Sequence, residues 1–208
     1  MENVVVTINR QYGSGGKTIG MMLADQMGVK YYNREIVKLA SEESGIDEAM
    51  FAKVDEKMAN YSFFKTKKIY TGDLKTPGSD DFTSDDNLFN IQAKVLKQLA
   101  RNESCVIIGR CANFILKDMP NVVSVFVHAD PAFCREQALA RVSIPEKEID
   151  KFIEKTDKFR ADYYKYHTGK QWLDLRGYDL CLNSGRLGFD KCVEEILAYI
   201  RVRFDKDK

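Results

Sequence analysis

The run Val4-Val5-Val6-Thr7-Ile8-Asn9, followed by Arg10-Gln11-Tyr12-Gly13-Ser14-Gly15-Gly16-Lys17-Thr18, constrains the fold more than any other stretch of this chain. A β-branched apolar run stops at a glycine cluster, and the cluster ends in Lys-Thr where a helical pattern begins. That order describes a strand, a phosphate-cradling loop and a helix. Glycines let backbone N–H groups turn inward without a Cβ clash, and the helix N-terminus adds partial positive charge. In such a loop Lys17 reaches the β- and γ-phosphates while the Thr18 hydroxyl coordinates Mg²⁺. The pattern G-x-x-x-x-G-K-[ST] is broken at one position, where Gln11 stands in place of the first glycine. The stretch predicts that Gly13, Ser14, Gly15, Gly16, Lys17 and Thr18 bind a nucleoside triphosphate whose phosphate is then transferred.

With 208 residues, 44% of them hydrophobic, the chain fits one domain with a substantial core. A net charge of +1 does not indicate nucleic acid or an anionic membrane as a partner. No apolar run approaches the roughly 20 residues needed to cross a bilayer, and a strand beginning by Val4 leaves no room for a signal peptide. The five cysteines (Cys105, Cys111, Cys134, Cys181, Cys192) have no C-x-x-C spacing, and two histidines cannot supply a His-based metal site. These features point to a reduced, cytoplasmic protein, with Cys105 and Cys181 expected as small apolar groups in core strands.

Helical and strand patterns alternate with short connections, which predicts an α/β fold with a parallel sheet covered by helices. The expected strands are Val4–Asn9, Val29–Tyr32, Cys105–Ile108, Val122–Val127 and Tyr178–Leu182. After the loop, Ile19, Met22, Leu23 and Met27 share a helix face; Leu88, Ile91, Val95 and Leu99 share another, and Cys192, Ile196, Ile200 and Phe204 a third. Asp130-Pro131 reads as an N-cap and first helical position. Residues 61–87, aromatic and Lys-rich at first (FFKTKKIY, 63–70), read as a mobile loop, and FFKTKKIY either lines a substrate pocket or packs on the core. A charged helical pattern over 143–166 reads as a lid.

A second set of functional residues lies beyond the strand ends. Gly109-Arg110 ends the third strand, where ligands bind in open α/β sheets, so Arg110 is expected to face the site with a planar fork suited to phosphate. Arg135 and Arg141 follow the fourth strand. Lys151, Lys155 and Lys158 share a helix face that either serves transferred phosphate or is an ordinary solvated face laced with acidic residues. His128 reads as structural, and His167 has no identifiable partner; Tyr163, Tyr164, Tyr166 and Trp172 read as packing residues rather than as a surface that stacks a base.

Assembled in order, INRQYGSGGKTIG, YYNREIV, VIIGRCANFIL, VFVHADPAFCREQALARV, DKFRADYYKYHTG and YDLCLNSGRLG resemble the cytidylate-kinase-like branch of P-loop nucleoside monophosphate kinases, nearly end to end. The resemblance implies a three-layer P-loop kinase fold with a parallel five-stranded sheet. One domain over 1–208 would then carry a monophosphate-binding insertion at about 34–100 and a lid at about 142–168. It implies ATP with Mg²⁺ as phosphoryl donor and a nucleoside monophosphate, CMP or dCMP, as acceptor. By position, Lys17, Arg110, Arg135, Arg141 and Arg160 would carry the transfer, and Arg34 and Arg110 would approach the acceptor's phosphate. Thr18 would ligate the metal, and the Asn183-Ser184 turn would lie near the donor base.

Two further positions depart from that family's pattern: Asn33 and Cys111 each stand where cytidylate kinases carry an aspartate. A thiol lacks a carboxylate's two acceptor oxygens for a cytosine amino group. Two other readings therefore stay open, a nucleotide-binding sensor with little catalysis and a P-loop kinase for another small metabolite.

Overall fold

The apolar run after Asn3 forms the central strand, and the rest of the chain winds outward from it. The computed structural model describes residues 3–58 and 69–204. In chain order these give β1 (Val5–Arg10), α1 (Gly16–Met27), β2 (Lys30–Tyr32), α2 (Glu35–Ser44), α3 (Glu48–Met58), α4 (Asp85–Asn102), β3 (Cys105–Ile108), α5 (Ala112–Ile115), β4 (Val122–His128), α6 (Pro131–Leu139), α7 (Ile149–Thr168), β5 (Leu180–Asn183), α8 (Ser184–Leu187) and α9 (Phe189–Phe204).

The five strands form one parallel sheet in the order β2-β3-β1-β4-β5. β1 is flanked by β3 through Val5↔Cys105 and by β4 through Val5↔Val122. The chain builds β2 and β3 on one side of β1, then crosses to build β4 and β5 on the other. Connections therefore diverge at the C-terminal end of β1, and the crevice that opens there is where such sheets bind ligands.

Strand alternation assigns the two faces. Val6, Ile8, Val106, Ile108, Val123, Val125 and Val127 pack with Ile19 and Leu23 of α1 and with Cys192, Val193 and Ile196 of α9. Val5, Cys105, Ile107, Val122 and Phe126 turn the other way, against Phe89, Ala93 and Leu96 of α4, Ala112 and Ile115 of α5, and Trp172. A third cluster, with Val37, Ala40, Phe51, Leu88 and Ile91, joins α2, α3 and α4, and Phe159, Tyr163 and Tyr166 of α7 pack on it. Among the described residues no helix is long and apolar enough to cross a membrane.

Two expectations about this architecture change. Cys181 is exposed rather than in the core, because β5 is the edge strand and its alternation turns Leu182 inward instead. Of the segment 61–87, residues 61–68 lie outside the described residues. Beyond them, Tyr70 N–H donates to the His167 carbonyl (2.8 Å), Lys75 N–H to Asn87 Oδ1 (2.8 Å), and Asn90 Nδ2 to the Asp73 carbonyl (2.7 Å). Those bonds tie 70–75 along α4 and α7.

The packing around His167 sets an acid sensitivity. The residue is 1% exposed and stacks on Phe89 at 3.8 Å and 5°, with the Tyr163 and Tyr166 rings edge-on. Its Nε2 is buried and, among the described residues, has no hydrogen-bond partner. Burial, opposed only by Asp85, pushes its pKa down to about 3. The unfolded chain binds a proton at His167 near pH 6.5 and the folded one does not, so the folded state loses stability as pH falls through that window. His167→Gln is expected to flatten urea-measured stability between pH 6.5 and 3, relative to wild type, by up to about 1.4 kcal/mol per pH unit. An unchanged pH slope would show that His167 takes its proton in the folded state.

Candidate active site

The loop between β1 and α1 is held from behind by hydrogen bonds. Gln11 N–H donates to the Val127 carbonyl (3.0 Å), and the Gln11 side-chain oxygen accepts from Ala129 N–H (3.3 Å). The residue that breaks the glycine pattern thus ties the loop to β4. Ser14 Oγ turns inward toward the carbonyls of Gln11 (2.9 Å) and Val127 (3.1 Å), and Ser184 Oγ donates to the Ser14 carbonyl (2.6 Å). The Ser14 side chain and the Asn183-Ser184 turn therefore brace the loop, with Asn183 Oδ1 capping α8.

Gly13 has φ +80°, and a Cβ there would overlap the backbone carbonyl of Cys134 at α6. α1 then starts at Gly16 with no side chain capping it and no acidic residue in its first turn. Its first-turn N–H groups have no i−4 carbonyl to meet, so they suit an anion's oxygens. Lys17 stands exposed at this end of the helix.

Beside the loop lies a cavity of about 630 Å³, lined by Arg10, Lys17, Arg34, Arg110 and Arg160, with Glu35 as the carboxylate among its lining residues. Asn9, Tyr31, Asn33 and Cys111 complete its polar wall, and Phe159, Tyr163, Tyr164 and Trp172 its aromatic one. Among the described residues, five cations against one carboxylate make the cavity suited to a polyanion. Glu35 accepts from Asn33 N–H (2.8 Å), and hydrogen bonds from the backbone, with Lys17 nearby, hold its carboxyl below the usual range.

The β3–α5 turn presents Arg110 through an unusual backbone. Gly109, Arg110 and Cys111 have φ of +70°, +57° and +53° in succession. A non-glycine residue in this region costs roughly 1–2 kcal/mol, so two in a row at a cavity wall store strain at the site. The turn buries the Cys111 thiol and places Arg110 Nη1 3.3 Å from Gln92 Oε1.

The helix α7 lies directly on the loop. Tyr12 N–H donates to Asp157 Oδ1 (2.8 Å), Arg160 pairs with the same oxygen (2.9 Å) and donates to the Arg10 carbonyl (3.1 Å), and the Tyr12 and Phe152 rings meet edge-on at 5.1 Å. Burial pushes the Asp157 carboxyl up and the Arg160 guanidinium down, each opposed by the attraction of the other. Further along α7, Tyr164 is 5% exposed, so this end of the helix is core as well as wall.

The predicted cationic residues thus divide. Lys17, Arg34, Arg110 and Arg160 line the cavity together. Arg141 reaches the loop by donating to Thr18 Oγ1 (3.0 Å). Arg135 stays outside, paired with Glu146 (2.9 Å) and Asp150 (3.4 Å), and Lys151, Lys155 and Lys158 do not line the cavity. Lys158 pairs with Asp162 one turn away, as on a solvated face.

Several lining residues escape the sequence analysis. Arg10 reads as the start of the loop, although the strand-end rule that places Arg110 applies equally to it. Tyr163, Tyr164 and Trp172, expected as packing residues, also form the aromatic wall. Beneath that wall, Asn9 Nδ2 donates to Asn113 Oδ1 (3.0 Å) and to Tyr178 OH (3.1 Å), and Asn113 Nδ2 donates to Tyr164 OH (3.0 Å). No spacing pattern signals that network, which joins β1, α5 and α7.

The residues fit an ATP-Mg²⁺ donor in part by what they leave free. The uncapped α1 terminus and Lys17 would meet the phosphates, and Thr18 Oγ1 would ligate the metal. Among the described residues no cluster of three or more His, Cys, Asp or Glu side chains could hold a metal ion. Thr18 Oγ1, which accepts from Arg141 in this structure, would hold the metal together with the nucleotide's phosphates.

Comparison with known proteins agrees with this geometry. A family model described as cytidylate kinase-like matches residues 5–186. A crystal structure of an uncharacterized protein from Eubacterium ventriosum ATCC 27560 is 25% identical, with a TM-score of 0.70 over 97% of this chain and 100% of that one. Shikimate kinase from Bacteroides thetaiotaomicron is 12% identical, with a TM-score of 0.54 over 95% of this chain and 98% of that one, a likeness of fold. No curated protein matches the chain. The fold is that of the P-loop kinases.

Proposed function

The chain belongs to the cytidylate kinase-like family, and from that premise we propose that it transfers the γ-phosphoryl group of ATP to a nucleoside monophosphate, CMP or dCMP. The observation that carries this reading is the continuity between the uncapped phosphate loop and the five-cation cavity beside it. A donor phosphate on the loop and an acceptor phosphate in the cavity would share one cationic field.

In the transfer, the bond from the γ-phosphorus to the bridging oxygen of ADP breaks as an acceptor phosphate oxygen bonds to phosphorus. That oxygen is already anionic, so no general base is required. Lys17 and the α1 terminus neutralise charge on the donor side, and Arg110 and Arg160 do so across the gap. Mg²⁺ bound with the nucleotide, with Thr18 as ligand, would supply further neutralisation of the phosphate oxygens. The aromatic wall excludes water and offers a surface on which an acceptor's base can stack. Cys111 supplies no carboxylate for cytosine, so polar recognition of the base falls to groups such as Asn9 and the Tyr164 hydroxyl.

Arg34 and Arg110 hold the acceptor's phosphate in this reading. Arg110→Ala is expected to lower kcat/KM for the acceptor by roughly tenfold to a hundredfold, the scale of a charge-assisted hydrogen bond, with the KM for ATP little changed. Steady-state kinetics with each substrate varied in turn checks this. An effect confined to the KM for ATP would place Arg110 on the donor instead.

A further inference from the structure

One cation of the cavity, Arg10, has no role in the transfer as proposed. Arg10 is the last residue of β1, on the side of the strand that Val6 and Ile8 turn toward α1. Its side chain runs between two glycines: a Cβ on Gly16 would stand 2.5 Å from Arg10 Cβ, and one on Gly109 would stand 2.6 Å from Arg10 Nη1. The stem therefore lies along the phosphate loop, and the guanidinium ends against the turn that presents Arg110. It sits between the donor loop and the acceptor arginines.

The charge around it is unbalanced. Arg160 and Arg110 both act on Arg10 as like charges, opposed first by Tyr31 and then by Asp157, the carboxylate nearest in effect. Asp157 is already bound to Arg160 (2.9 Å) and Tyr12 N–H (2.8 Å), and among the described residues no carboxylate pairs with Arg10. Burial first, then Arg160, pushes the Arg10 guanidinium down to about 9. Tyr31 lines the same cavity, with its hydroxyl buried and, among the described residues, without a hydrogen-bond partner. A buried cation beside two others destabilises a fold unless an anion compensates it. An orphaned hydroxyl beside it is a second group that lacks its partner.

We infer that Arg10, flanked by Arg110 and Arg160 and assisted by the Tyr31 hydroxyl, is the centre of a site for a phosphate-type oxyanion. This inference rests on the reading that the cavity takes a phosphorylated substrate. The oxyanion has two sources, the donor's γ-phosphoryl group or the acceptor's own phosphate, and both would present the same tetrahedral dianion to the fork.

The test is thermal-shift and calorimetric titration of nucleotide-free protein with inorganic phosphate, against chloride at matched ionic strength, for wild type, Arg10→Met and Arg10→Lys. Phosphate is expected to raise the wild-type Tm where chloride does not. Arg10→Met should bind phosphate roughly tenfold to a hundredfold more weakly and should melt at or above the wild-type Tm without ligand. Arg10→Lys, keeping the charge without the fork, should fall between them.

The two sources separate by probe. Weakened binding of an imido analogue of ATP with ADP binding unchanged assigns the γ-phosphoryl group; weakened CMP binding assigns the acceptor phosphate. A wild type indifferent to phosphate, or an Arg10→Met protein with an undiminished phosphate shift, overturns the inference. If phosphate binding depends on Arg10 while no acceptor is turned over, the oxyanion site stands and the phosphotransfer reading falls. If turnover is found and Arg10→Met alters neither it nor phosphate binding, the inference about Arg10 falls alone.

Discussion

Lys17→Ala is expected to lower ATP-dependent phosphoryl transfer by about 10²–10³-fold, the scale of removing one group aimed at developing charge, while leaving the fold intact. Lys17 is exposed at the start of α1, within a first turn that carries no acidic residue. Its removal should therefore change folding stability by no more than about 0.5 kcal/mol, as for ordinary surface positions. The combination separates function from misfolding. ADP formation and thermal melting on the same preparations provide both readouts. Turnover equal to wild type would show that the loop does not bring its lysine to the transferred phosphate.

Gly13→Ala is expected to act through geometry rather than charge, and on both stability and nucleotide binding. The φ of +80° alone costs a non-glycine residue roughly 1–3 kcal/mol. The added Cβ would also overlap the backbone carbonyl of Cys134, which cannot rotate away as a flexible side chain would. Either the loop or the start of α6 must shift, and a shifted loop no longer aims its N–H groups at one point. Gly28→Ala is the natural control, since Gly28 has φ +65° at the end of α1 but nothing within 4 Å of a Cβ. It should cost the strain alone and leave ATP affinity unchanged. Urea unfolding and calorimetric titration of ATP compare the two. A Gly13→Ala protein that binds ATP as wild type does would mean that the loop's observed conformation is not what holds the phosphates.

Local patterns dominate what is legible in the sequence. β1, the glycine loop and α1 follow from a β-branched run, a turn chemistry and an apolar helical face, all within a short stretch of chain. β3 is buried on both faces, and its span Cys105–Ile108 follows from apolar character alone. Arg110 faces the cavity because a strand end puts it there, a rule that needs no tertiary knowledge. The edge strand β5 is less legible: its apolar residues resemble a core strand, and only the sheet order shows that Cys181 faces outward.

What escapes the sequence depends on distant partners. The role of Arg10 requires knowing that Gly16 and Gly109, far apart along the chain, flank the same side chain. The left-handed run through Arg110 and Cys111 has no composition signal, because only the first of its three residues is glycine. Arg135 and Arg160 look alike in sequence, yet Arg160 lies on the cavity side of α7 against Asp157, and Arg135 pairs with Glu146 and Asp150 outside the cavity. Tyr163, Tyr164 and Trp172 satisfy both readings at once, since each packs in or against the core and also lines the cavity.

The central claim is most directly tested by ADP formation from ATP-Mg²⁺ with CMP, dCMP, UMP, AMP, GMP and no acceptor, with Lys17→Ala in parallel. The expected result is turnover that requires CMP or dCMP and is lost in the variant. Silence across the panel, with ATP still raising the Tm, would contradict the claim and leave a nucleotide-binding module or a kinase for another small metabolite in its place.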